Sequence, residues 1–189
     1  MTARTILQRL HGRPAEDAPR WAVRTAYLVS LLVLPSCLWR IAGVDLRVPL
    51  MEPGPDAPAA PELFGGEWWY VIGMSLFSEA VAFLAVGLVS RWGEVWPRWI
   101  PRLGGLRVPP LAAVIPAGLG AAALMIFPYA LAMMASGRKI DGSTDAGLIT
   151  HGWQTVTFWA AYLPLAAWGP LLGILTVHYY RRRAARPAA

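Results

Sequence analysis

Four long apolar runs, at about residues 21–40, 68–90, 111–135 and 153–180, divide the 189-residue chain, and nearly all of its charge lies between them. At about 1.5 Å of rise per residue, each run is long enough as a helix to cross a hydrocarbon layer about 30 Å thick. The pattern predicts an all-α protein, an integral membrane bundle of four transmembrane helices. The first run, WAVRTAYLVSLLVLPSCLW, carries Trp21 and Trp39 at its two ends, where amphipathic rings favour the headgroup level. Arg24 and Arg40 are placed to snorkel outward from either end.

The intervening segments read differently from one another. Residues 41–67 contain five prolines and five acids, a composition that resists regular helix and suits a solvated loop. Residues 91–110 carry four arginines, three tryptophans and prolines at both ends, the character of an interfacial loop. Pro35, Pro116, Pro128, Pro164 and Pro170 fall inside the apolar runs. Each removes an intrahelical hydrogen bond, which predicts kinks or, in a transporter, a discontinuous helix.

Charge sets an expected orientation. Counting Arg24 and Arg40 with the ends they flank, the segment 1–20, the loop 91–110 and the tail 181–189 share thirteen of the seventeen Lys and Arg residues. The positive-inside bias then places both termini in the cytoplasm, with the loop 41–67 outside. The net charge of +6 raises the question of nucleic acid, but the arginines flank apolar spans instead of lining one face of a polar domain. The bilayer is the partner this distribution implies, and no nucleic acid is expected. A single cysteine, Cys37, excludes an internal disulfide and a cysteine metal cage. Its setting, LPSC, has the outline of a lipoprotein processing site but carries proline in the second position, so a buried thiol is the expectation.

Glu79 is the most informative position, a lone carboxylate at the middle of the second run. An ionised acid there is costly, by about 2.5–3.5 kcal/mol on insertion scales, so it is expected to be protonated or beside water, with Ser75 and Ser78 supplying hydroxyls. As a proton-binding group it would couple transport to proton movement; otherwise it is a neutral acid hydrogen-bonded across helices. His151 and His178 stand at opposite ends of the fourth run and cannot bracket one haem iron. Gly169 and Gly173 form GxxxG, and Ala113, Ala117 and Ala121 recur every fourth residue, so these helices can approach closely, within the bundle or between subunits. No phosphate loop, nucleophile elbow, zinc-type histidine pair or paired carboxylate is visible, and no cofactor is expected.

Two stretches carry a resemblance: LPSCLWRIAG, and WGEVWPRWIPRLGGLRVP followed by IPAGLGAAAL. Together, over about half of the chain, they resemble uncharacterised multi-pass membrane proteins of high-GC actinobacteria. In that group a WG, PRW, P, LGG, VP pattern links the second and third helices. The resemblance implies a plasma-membrane protein of a Gram-positive bacterium and carries over no catalytic residue. The functional expectation is a small, non-enzymatic accessory or interaction component, with a homo-oligomer or a membrane-protein partner. The alternatives are a proton-coupled permease using Glu79, and a membrane enzyme using the outer-loop acids Asp45, Glu52, Glu62 and Glu67.

Overall fold

The computed structural model describes residues 15, 17–51, 68–95, 104–143 and 150–185. The described residues are helical throughout, apart from turns and one isolated antiparallel bridge between Val95 and Arg107. Four helical spans are long and apolar enough to cross a membrane: Arg20–Asp45, Trp68–Gly87, Pro110–Ala135 and Trp153–Ala184. The chain is therefore an all-helical protein built to be embedded in a bilayer.

The first span is α1 (Arg20–Arg40), continued by a π-helical turn, Ile41–Asp45. The Leu46 amide closes that turn on the Ile41 carbonyl and the Val48 amide reaches Ala42. The helix thus runs five residues past the expected boundary at 40, into what the proline content marked as loop. The prolines begin only at Pro49, so no proline interrupts Ile41–Asp45. The second span is α2 (Trp68–Gly87), with Leu88–Ser90 turning out of it through bonds to Ala85, Val86 and Gly87.

Proline divides the third and fourth spans. The third is α3 (Pro110–Leu124) followed by α4 (Ile126–Ala135), with the break at Met125. Pro128 cannot donate to the Leu124 carbonyl, and the Met125 amide instead closes a tighter bond to Ala122. In the fourth span α5 (Trp153–Tyr162) passes through a 3₁₀ segment, Leu163–Ala167, into α6 (Trp168–Ala184). Pro164 opens that segment and Pro170 follows it. Pro35 and Pro116, by contrast, are carried within α1 and α3 without a break.

The spans pack as an open row. α1 packs against α2 on one side and against α5, its 3₁₀ segment and α6 on the other, while α3 packs on α6 and α4 on the 3₁₀ segment. Among the described spans α2 packs substantially on α1 alone. The row leaves the third span only 6 % buried over its most apolar window. The core is a seam of small and β-branched side chains: Ala22, Ala26, Val29 and Val33 of α1 with Ala82, Ala85 and Val86 of α2, joined by Leu172, Leu175 and Tyr179 of α6. Beyond α4, the Ser143 amide donates to Asp141 Oδ1 at 2.9 Å and holds that exposed carboxyl below its ordinary range.

Candidate functional site

On α2 the positions facing α1 are spaced 4, 3 and 4 residues apart: Ser75, Glu79, Ala82 and Val86. This is the stripe by which a helix meets a neighbour. Ser75, Ala82 and Val86 are buried and Glu79 is half-buried among them. Ser75 and Glu79 therefore share a face. Ser78 does not join them, because its hydroxyl donates to the Met74 carbonyl of its own helix at 2.8 Å.

Opposite this stripe, Cys37 Sγ donates to the Ser75 carbonyl at 3.6 Å, which fixes the register of the antiparallel α1 and α2. Counting along both helices from that contact puts Val33 level with Glu79. Cys37 is buried, as expected, and Arg40 Nη2 donates to its sulfur at 3.5 Å. Arg40 does not snorkel away from the end of the helix. The π-turn carries the chain beyond it, and a side chain tilts toward its helix N-terminus, so the guanidinium turns back along the seam toward Cys37. It also lies within electrostatic reach of the Tyr162 phenol on α5, whose ring stands edge-on to Trp39 at 5.3 Å.

Several polar atoms of α1, its π-turn and α2 are buried with no hydrogen-bond partner among the described residues. They are both carboxylate oxygens of Asp45, Trp39 Nε1, Arg40 Nε, Ser75 Oγ, Glu79 Oε2 and Ser30 Oγ. Asp45, expected as a loop acid, lies in the π-turn and is only 3 % exposed. Glu52, Glu62 and Glu67 lie outside the described residues. Among the described residues no group of three His, Cys, Asp or Glu side chains is placed to hold a metal ion.

Gln154 ties two segments together at the same end of the row. Its Nε2 donates to the Pro49 carbonyl at 2.8 Å and its Oε1 accepts from the His151 amide at 3.1 Å, tying the segment after the π-turn to the start of α5. His178 lies at the far end of the fourth span, its ring edge-on to Trp21 at 4.9 Å. The two histidines are held apart by the length of that span.

The small-residue motifs meet each other inside the row. A Cβ on Gly169 would stand 3.0 Å from the Leu124 carbonyl carbon and 3.1 Å from Ala121 O and Met125 N, and a Cβ on Gly173 would stand 3.9 Å from that of Ala121. Ala121 is buried, with Ala113 and Ala117 partly buried beside it. These contacts lie within one chain.

The arginine end holds a latch that sequence reading passed over. Arg182 Nη2 donates to Glu94 Oε1 at 2.8 Å and to the Leu88 carbonyl at 3.2 Å, with the two ionic side chains only 6 % and 11 % exposed. Arg183 donates to the Val108 carbonyl, Tyr179 Oη to the Gly93 carbonyl, and the Val108 amide to the Glu94 carbonyl. Gly93 itself lies on the Gly87 carbonyl, where a Cβ has no room, and Trp92 covers Gly87 and stacks on Phe83. The usable signal was Glu94, the one acid in a loop with four arginines. Comparison with protein-family models, with curated proteins and with solved structures finds no match.

Proposed function

We propose that the protein is a non-catalytic assembly component of the plasma membrane, with both termini cytoplasmic, whose open row of helices is completed by another membrane helix. The observation that carries this reading is the poor enclosure of the third span, where only 6 % of the residues in its most apolar stretch are buried, beside a second span that among the described spans packs substantially on one neighbour. Ala112, Ile115, Leu119, Ala122 and Ile126 form an exposed stripe along that span at helical spacing. Ala112 and Ala122 among the branched side chains of this stripe let a second helix approach closely, and close packing drives association where lipid supplies no hydrophobic force. Thirteen of the seventeen basic residues on the terminal side support the orientation.

The test is site-directed crosslinking in native membranes. A cysteine at Leu119, with Cys37→Ser, is expected to give one discrete adduct, while a cysteine at Leu76, on the exposed face of α2, gives none. Equal crosslinking at both positions, or none at either in membranes of any protein density, would rule out an interface on the third span. A reporter fused after Ala189 and active only outside the cell would overturn the orientation.

A second reading, proton-linked transport through Glu79, is favoured by one separate observation, the run of unpartnered polar atoms between Asp45 and Glu79.

A further inference from the structure

The polar and apolar side chains of the α1/α2 seam are segregated by level. From the Asp45 end the seam presents Asp45, Arg40, Cys37, Ser75 and Glu79 in turn, over about 18 Å of helix rise from Asp45 to the level of Val33. Toward the arginine end it presents Val29, Ala26 and Ala22 of α1 against Ala82, Ala85 and Val86 of α2, every one at most 2 % exposed. Ser30, level with Ala82, is the last polar side chain of the series. Buried polar atoms in folded proteins find hydrogen-bond partners, and where the protein supplies none, water does. Asp45 at 3 % exposure and Ser75 at 4 % are buried polar side chains of this kind, and the seam is where such water would have to stand.

We propose that the outer half of the α1/α2 seam is a hydrated path that opens at the Asp45 end and stops at Glu79, making Glu79 a carboxylate that binds and releases protons from that side only. Hydronium delivers its proton to Glu79 Oε2, leaving water and the neutral acid; release reverses the step. The titratable groups in this half of the bundle are Cys37 and Arg40 on α1, Asp45 in the π-turn and Tyr162 on α5, and the third span carries no Asp, Glu, Lys, Arg or His. Contact with Cys37 brings the Arg40 guanidinium to the level of Ser75, about 6 Å of helix rise from Glu79. The apolar plug beyond Ala82 denies the proton a route to the arginine end.

The chain carries its own probe, since Cys37 is its single cysteine and lies within the path. Full-length protein in proteoliposomes of known orientation would be treated from each side with a membrane-impermeant sulfonated methanethiosulfonate. In parallel, the Glu79 carboxyl infrared band, identified by difference from Glu79→Gln, would be followed after transfer into D₂O. The expected result is labelling of Cys37 from the Asp45 side alone and deuterium exchange of the Glu79 band within the mixing time. Ser75→Leu, which fills the path, should slow labelling by about tenfold or more. A Cys37 unreactive from both sides, labelling unchanged in Ser75→Leu, or a carboxyl band unexchanged after hours would each overturn the proposal. Should Glu79→Gln not fold, the labelling arm decides it alone. Neither readout depends on whether the protein assembles with another chain.

Discussion

Single residues in this protein act through close approach more than through chemistry. Gly169 is the clearest case, because the peptide backbone at Leu124 and Met125 occupies the space a side chain would need. Gly169→Leu is expected to destabilise the folded protein by about 1–3 kcal/mol through overpacking. Thermal unfolding in detergent, with α3 and α6 separating first in hydrogen exchange, checks this. Gly173→Ala, where Ala121 Cβ stands 3.9 Å away, should be close to neutral in the same assay. An oligomer lost in Gly169→Leu would thus report on the fold of one chain before it reported on an interface. The WG pair at Trp92 and Gly93 has a similar basis: the indole fills the space over Gly87, and Gly93 lies on the carbonyl of that same residue.

At the scale of elements, proline content located the irregularities of the spans but not which prolines would produce them. Pro128 breaks the third span and Pro116 does not, although both lie within it. The difference is the neighbour: Gly169 packs on the freed backbone at Leu124–Met125, and Phe127 stacks on Trp168 at 6.0 Å, so the break is held by α6. Pro128→Ala restores the missing donor and is expected to join α3 and α4 into one helix. Slower amide exchange at Met125 to Phe127 would show it, and unchanged exchange there would mean that packing alone holds the break. The π-turn after Arg40 escaped the sequence because prolines further along coloured the whole segment 41–67 as loop. Its consequence is chemical, since five added helical residues convert Arg40 from an end group into a side chain directed along the seam.

Over the whole molecule, segments at the two ends of the row are tied together by different means. Gln154 ties the Pro49 segment to α5 by neutral hydrogen bonds. The arginine end relies on Arg182 and Glu94, buried together, with Arg183 and Tyr179 holding both strands of the loop base. Arg182→Ala removes the side chain buried with Glu94 and its bond to the Leu88 carbonyl, and is expected to destabilise the loop base. The expected outcome is faster proteolysis within residues 91–110 and a lower unfolding temperature, and Glu94→Gln should produce a smaller loss because it leaves a neutral partner for Arg182. Equal protease sensitivity in Arg182→Ala and the unaltered protein would show that the helix packing holds the loop without the ion pair.

What the chain determined without its tertiary structure is the number of spans, their approximate limits and the singular position of Glu79. These follow from local composition: apolar length, flanking arginine and one carboxylate in a run of 20 residues. The small-residue motifs were visible too, as surfaces of close approach whose partner was open. Tertiary structure alone decided that α3 meets α6 through them, that α2 is left with one neighbour, and that Arg40 points along the seam toward Cys37. It also paired Glu94 with Arg182, two charges 88 residues apart. A helical stripe states which face is to be covered, but every apolar stripe in a bilayer is satisfied equally by lipid and by another helix, so hydrophobicity does not choose neighbours. That choice falls to shape and to the few polar groups, which act only once distant segments have been brought to the same level.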